Sequence, residues 1–270
     1  MRQRESKLSF KYYISVWRRI ITAAEKRSKM YRADLLFRFL RAIFLLGVQI
    51  LFLNAVFGSS DIYVGWSKSE AYLVMGMWNI LNYLGWAFFG SNLLALESKI
   101  IEGSFDYTLL KPLSSAWFAS FGDFFIHNFV TSLSGVILVL YYIFLVWNTL
   151  SLSNILLSLF ALCIGLVIWY SIYLSLASFT ISKPRNGLLS VAKELLGVTR
   201  YPIDIFGEQL KIIFYTVVPI AFLTTVPASI MIGKITWIYI LGSMLVAGVM
   251  LFLAHQLWKR NLKGYTSASS

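Results

Sequence analysis

The sequence predicts an all-α, polytopic membrane protein with six transmembrane helices, an N-terminal amphipathic interfacial helix and a broken or re-entrant fifth helix. Of the 270 residues, 58% are hydrophobic and only 13% are charged, and mean hydropathy is +0.71. Apolar runs recur that are long enough to cross a hydrocarbon core of roughly 30 Å, which takes about 20 helical residues. Their unbroken apolar character excludes barrel strands, which would alternate in polarity. The six runs are 35–57, 71–96, 124–147, 152–181, 203–232 and 235–258.

Positive charge alternates between the segments that connect these runs. Residues 1–33 carry ten Lys and Arg against two Glu, a net +8 of the formal +12. The positive-inside rule therefore places both termini in the cytoplasm, with an even number of spans. Segments 61–70, 148–150 and 233–234, predicted to lie outside, contain only Lys68 and Lys234 as bases. Further cytoplasmic bases are Lys99 and Lys111 after the second run, Lys183, Arg185, Lys193 and Arg200 after the fourth, and Lys259, Arg260 and Lys263 in the tail.

The basic character indicates contact with anionic membrane lipid, and nothing in the sequence predicts a nucleic-acid partner. We expect a protein of the bacterial plasma (inner) membrane. Its parts are a cytoplasmic basic segment (1–33), a six-helix domain (34–258) and a cytoplasmic tail (259–270). The sequence has one cysteine, two distant histidines and no Gly-rich phosphate loop. It therefore predicts no metal site, no catalytic residue, no enzyme activity and no cofactor bound by this chain.

Residues 8–24 repeat an apolar side chain every fourth position, from Leu8 to Ala24. Such a stripe beside basic residues predicts a helix that lies on the membrane surface. A merely solvated basic arm is the alternative. The residues expected to characterise the interfacial helix are Tyr12, Trp17, Arg18 and Arg19.

The cytoplasmic loop 97–117 mixes charged and apolar side chains. Apolar side chains in such a loop indicate a docking partner, although burial in lipid headgroups is an equal alternative on the residues alone. Gly103 permits a tight turn and Pro112 excludes a helix interior. The candidate docking residues are Glu97, Lys99, Glu102, Gly103, Phe105, Asp106, Lys111 and Pro112.

The fifth run has thirty residues, about 45 Å as a helix, and it contains Pro219 and Pro227 with Thr224 and Thr225 between them. This pattern predicts a break near Pro219 followed by a re-entrant piece. One tilted, kinked helix is the alternative. Asp204 and Glu208, with Arg200 and Lys211, are expected to form a salt-bridged helix entrance at the cytoplasmic mouth.

Polar residues within or beside the spans are candidates for lining a pathway. Asp123 and His127 stand four apart, a catalytic pattern only where a nucleophile joins them, so we favour a structural hydrogen bond or cavity lining. Arg38 and Arg41 are expected to extend to the headgroups. The pathway candidates are Asn79, Asn82, Asp123, His127 and Asn128.

Two stretches resemble signatures of one transporter family. Residues 102–113, with Glu102, Gly103, Asp106, Lys111 and Pro112, resemble the segment after the second span of permeases in the second export class of ATP-binding-cassette transporters, the ABC-2 class. Residues 201–228, with Tyr201, Pro202, Asp204, Pro219 and Pro227, resemble its fifth-span signature.

The resemblance implies a permease subunit of an exporter that forms the translocation pathway in a dimer. Its partners would be a second permease, identical or related, and two ABC ATPase subunits, which bind ATP and Mg and dock on the coupling loop 97–117. A secondary transporter or channel without an ATPase partner is the alternative, although the shortage of intramembrane carboxylates argues against ion coupling. A membrane enzyme using Asp123 and His127 is a third possibility.

Overall fold

A computed structural model describes residues 9–30, 32–58 and 62–266, and the protein is 81% helical. Leu8, the first residue of the predicted stripe, lies outside these ranges. A hairpin pairs β1 (Ile62–Tyr63) with β2 (Trp66–Ser67), and a π-helix (Trp86–Gly90) joins α3 to α4. In chain order the α-helices are α1 (Phe10–Met30), α2 (Arg32–Phe57), α3 (Lys68–Gly85), α4 (Ser91–Leu94), α5 (Leu96–Ile101), α6 (Phe105–Leu109), α7 (Ser115–Phe121), α8 (Ile126–Leu145), α9 (Leu152–Ser182), α10 (Leu188–Leu196), α11 (Glu208–Thr216), α12 (Thr225–Met231) and α13 (Ile238–Lys263).

Within the described residues, four helices are long and apolar enough to cross a membrane: the Leu36–Phe57 part of α2, α8, α9 and α13. Each of the four corresponds to a predicted apolar run and differs from it by a few residues at the ends. This agreement arises because an unbroken apolar segment can satisfy its backbone in lipid only as a helix. The protein is thus a helical membrane protein, and the count of six spans stays a prediction.

The helix bundle has two distinct ends, which we call the hairpin end and the platform end. At the hairpin end, Lys234 donates to the Glu70 carboxylate at 2.7 Å and to the Gly65 carbonyl at 2.7 Å. At the platform end, formed by residues 96–121, the Trp258 indole N–H donates to the Ser115 hydroxyl at 3.1 Å. Helices α9 and α13 pack along each other between these ends.

The fifth predicted run is interrupted at Pro219, where the sequence predicts a break, but the rest of its course differs from expectation. Residues 203–232 do not form one helix: α11 has nine residues and α12 has seven, separated by a 3₁₀ turn at Ile220–Phe222. The single tilted helix is therefore wrong. The chain already returns toward the hairpin end along α10, and a further break lies at Tyr201 and Pro202, before the one at Pro219. Whether 203–232 re-enters a membrane stays a prediction.

The contacts of Asp204 show that this part of the chain lies at the hairpin end. Its carboxylate accepts the Trp66 indole N–H at 3.0 Å, so it lies beside the hairpin. It pairs with Lys211 at 3.1 Å, and Lys211 also approaches Glu208 at 3.9 Å. The predicted ion pairs with Lys211 therefore exist, but their predicted place on the same side as the platform is wrong.

Two threonines between the predicted prolines complete the hydrogen bonding of the broken segment. The Thr224 hydroxyl donates to the Thr199 carbonyl at 2.6 Å, and the Thr225 hydroxyl accepts the Ile203 amide at 3.0 Å. Both threonines are fully buried. Breaking a helix inside a bundle frees backbone groups that water cannot reach, and these hydroxyls satisfy two of them.

We expect Thr225→Val to destabilise the protein by about 1–3 kcal/mol, because the variant leaves the buried Ile203 amide without its acceptor at nearly unchanged volume. Thr225→Ser keeps the hydroxyl and should retain most of the stability. Thermal unfolding in detergent measures both variants. Equal unfolding midpoints for Thr225→Val and the native protein would contradict this role.

Candidate functional site: a polar cavity and an exposed platform

A cavity of about 560 Å³ opens between α2, α3, α4, α8 and α10. Three of the residues predicted to line a pathway, Asn82, His127 and Asn128, lie in its wall. The cavity therefore presents polar groups between helices that are otherwise largely apolar. Its polar and charged wall residues are Arg38, Arg41, Asn82, Tyr83, Ser91, His127, Asn128, Thr131 and Lys193.

The π-helix supplies one wall of this cavity. Trp86, its first residue, donates its indole N–H to the Asn82 side-chain oxygen at 3.1 Å, and its carbonyl accepts the Ser91 hydroxyl at 2.8 Å. The rings of Trp169 and Tyr173 on α9 meet Trp86 edge-on, with centroids 5.7 and 5.5 Å away. π-Helical turns occur frequently at functional sites, and this one fixes an aromatic wall beside polar side chains.

Two cations that sequence reasoning assigned to a cytoplasmic loop lie against tryptophan rings of the bundle. Lys193 stands over the Trp86 ring at 5.7 Å and lines the cavity. The Arg200 guanidinium lies 4.8 Å from the Trp78 ring and donates to the Gly197 carbonyl at 2.7 Å. Both cations belong to a helical segment, because Lys193 lies on α10 and Arg200 ends the 3₁₀ turn Gly197–Arg200. Their charges had suggested a solvated connection.

Two other pathway candidates hold helices together and do not line this cavity. Asn79 is buried and exchanges side-chain amide bonds with Gln49 of α2, at 2.9 and 3.4 Å. Asp123 forms an ion pair with Arg27 of α1 and accepts the Phe124 amide at 2.8 Å. Among the described residues, no group of three His, Cys, Asp or Glu side chains could hold a metal ion.

The platform is anchored through Phe105, which has no exposed surface. Its ring packs edge-on against Tyr265, with centroids 5.2 Å apart, and the Tyr265 hydroxyl donates to the neighbouring Asp106 at 3.0 Å. Burial is the main cause that raises the pKa of Tyr265 to about 12, and the hydrogen bond to Asp106 adds to it. Gly103 adopts a φ of +74° and turns the chain between α5 and α6. The platform is thus joined to the end of α13.

Ile101, Glu102, Tyr107 and Leu110 of the platform are exposed. We call these four residues the docking face, after the docking that the sequence predicts. Tyr107 is 71% exposed and Leu110 is 72% exposed. Lys111 and Pro112 are also exposed. The sequence prediction included Phe105, which faces inward, and omitted Tyr107, because a helix of five residues does not reveal which side meets the core.

The remaining platform residues lie at its edges. Glu97 and Lys99 are half-buried, and burial lowers the pKa of Lys99. The Lys111 ammonium lies 3.6 Å from the centre of the Phe118 ring, a cation–π contact that orients the loop after α6.

Helix α1 packs on the platform and does not form a solvated arm. The ring of Trp17 packs against those of Phe88, Phe121 and Phe124, with ring centroids 5.9 to 6.0 Å apart. Ala24 is buried. Of the predicted interfacial residues, Trp17 alone faces the bundle, and Tyr12, Arg18 and Arg19 are exposed. Attachment to a membrane surface stays a prediction.

Comparison with known proteins agrees with these features. A family model described as ABC-2 family transporter protein matches residues 43–269, which cover the platform, the cavity's α3, α8 and α10 walls and the broken fifth segment. The chain belongs to the ABC-2 transporter family. Members are membrane components of transporters and not the catalytic ones. A search of curated proteins finds no significant match. In this ABC-2 protein, α1 and the start of α2, with Arg38 and Arg41, precede the matched region.

Proposed function

We propose that this ABC-2 protein is the permease subunit of an exporter. Two permeases, identical or related, form the translocation pathway, and two separate ATPase subunits bind ATP and Mg and dock on the platform. The protein resides in the bacterial plasma membrane with both termini and the platform in the cytoplasm. One observation carries the proposal: the platform exposes large apolar side chains while its other side is firmly joined to the bundle.

The contacts support a mechanical role for the platform. An exposed apolar patch in water indicates a protein partner, and Tyr107 and Leu110 provide one. Movement of the platform would shift α13 through Phe105 and Tyr265. It would also reach α9, since Phe121 of the platform packs on Tyr170 with centroids 5.5 Å apart and the Ser120 and Tyr170 hydroxyls lie 3.1 Å apart.

Helix α9 in turn supports the cavity wall. Phe89 of the π-helix packs between Phe121 and Trp169, with centroid distances of 6.0 and 4.9 Å. Aromatic contacts therefore connect the docking platform with the Trp86 wall without a gap. Closure of ATPase subunits beneath the platform would change the packing around the cavity, and this change would open the pathway outward.

Purification of the tagged permease from its native membrane tests the proposal. We expect ATP-hydrolysing subunits to co-purify and the complex to transport only with ATP and Mg. Uphill transport by the permease alone in vesicles would show a secondary transporter instead. A passive flux without ATPase subunits would show a channel, and either result would reject the proposed function.

A further inference from the structure

The cavity concentrates positive charge on two facing elements. Arg38 and Arg41 come from α2, and Lys193 comes from α10. No carboxylate lies among the residues that line the cavity within the described chain. A second cavity, at the hairpin end, differs because its lining contains Asp204 and Glu208 together with Lys211 and Lys234.

Arg41 and Lys193 both line the cavity and are exposed, so their charges are accessible to an anionic ligand. Arg41 is the tenth residue of α2 and lies about 8 Å beyond Leu36, where the apolar span begins. Ionisable side chains at such depth are rare and usually mark a substrate or ion pathway. Within the described residues, neither Arg41 nor Lys193 forms an ion pair, although Lys193 contacts the Trp86 ring.

The same cavity has an extensive apolar and aromatic wall. Ala42 follows Arg41 directly on α2 and Leu45 lies one turn further, and Leu94 and Trp86 line the α3–α4 side of the cavity. A headgroup held by the cations would therefore place its apolar part against these side chains. Guanidinium groups bind carboxylate and phosphate in pairs of hydrogen bonds, so the wall matches an amphiphile and not an inorganic anion.

We propose that the cavity binds an amphiphile with an oxyanionic headgroup, a phosphate or a carboxylate, attached to an apolar chain. Arg41 and Lys193 contact the headgroup, and Trp86 with Leu45 contacts the apolar part. The inference rests on the proposed function, because it names the substrate class of the same transporter. It gives Arg41 a substrate-binding role in place of the expected extension to lipid headgroups, since both α2 arginines line the cavity.

Binding to the full-length permease in phosphatidylcholine nanodiscs tests the inference without ATPase subunits. The probes are dodecyl phosphate, dodecyltrimethylammonium and dodecyl maltoside, which share one chain and differ in headgroup charge. We expect saturable binding of dodecyl phosphate and no saturable binding of the other two probes. Arg41→Gln and Lys193→Gln should each weaken it about tenfold or more, through loss of a charged hydrogen-bond donor, while Arg41→Lys should retain part of the affinity.

Lys183→Gln is the matched control, because Lys183 is an exposed cation just after α9 and outside the cavity lining. It should leave binding unchanged. Equal loss in Lys183→Gln, unchanged binding in the Arg41 and Lys193 variants, or equal binding of the cationic probe would overturn the inference. Displacement by inorganic phosphate as effective as by dodecyl phosphate would also overturn it, in favour of a free anion. Co-purification of ATPase subunits is independent of every one of these results.

Discussion

Gly135→Ala is expected to destabilise the protein by about 3 kcal/mol, at the upper end for overpacking of a core. Gly135 lies where α8 crosses α3. A Cβ at this position would overlap the Gly76 carbonyl oxygen and would stand 2.7 Å from the Ile80 nitrogen. Backbone atoms cannot rotate away as a side chain can, so the two helices would have to separate.

Separation of α3 from α8 would spread to α2. The same Cβ would stand 2.8 Å from the Cβ of Asn79, whose side chain holds Gln49 of α2 through two hydrogen bonds. The yield of monodisperse protein and its thermal unfolding midpoint measure the effect. We expect both to fall sharply.

Gly248→Ala on α13 provides the matched control, because nothing lies within 4 Å of a Cβ added there. Alanine favours a helix over glycine by about 1 kcal/mol, so this variant should be neutral or slightly more stable. Glycine to alanine is thus expected to lower the stability at Gly135 and to leave it unchanged or raise it at Gly248. If both variants unfolded at the native temperature, the close crossing of α3 and α8 would not contribute as described.

The long apolar helices could be predicted from the sequence because hydrophobicity alone determines them. The run 152–181 and helix α9 (Leu152–Ser182) differ by one residue. Lipid requires backbone hydrogen bonds to be made within such a segment, and no tertiary contact is needed to infer it. The presence of Asn82, His127 and Asn128 near a cavity was also foreseeable, since polar side chains in spans avoid lipid.

The interruption at Pro219 could be predicted, but the course of the fifth segment could not, because its apolar residues are buried in protein. Residues 220–231 are all buried among neighbouring helices, so their hydrophobicity reports a protein core and not a lipid-facing span. Helix α10 was missed for the opposite reason. Its charged residues Lys193 and Glu194 suggested a solvated loop, yet the helix forms part of the cavity wall. Hydropathy scales measure the free energy of transferring a side chain out of water. They therefore do not distinguish burial in lipid from burial in protein.

Leu110→Asp is expected to abolish docking of the ATPase subunits without unfolding the permease. Leu110 is 72% exposed, so a carboxylate there remains in water in the isolated subunit and costs little stability. In the proposed complex the same carboxylate would lie within an apolar contact, and charges at the centre of an interface are strongly unfavourable. Co-purified ATPase and ATP-dependent transport should both fall at least about thirtyfold, the factor that corresponds to a residue worth about 2 kcal/mol.

Two further variants separate loss of docking from general damage. Ala23→Asp adds the same charge to the exposed side of α1, away from the docking face, and should keep the complex intact. Tyr107→Ala removes an exposed ring from the docking face and should weaken the complex without adding charge. A complex that forms normally with both Leu110→Asp and Tyr107→Ala would mean that the exposed side of the platform is not where force enters. The anchoring of Phe105 to α13 would then explain only stability, since a buried aromatic side chain of this kind stabilises a fold by about 3–5 kcal/mol whether or not a partner docks.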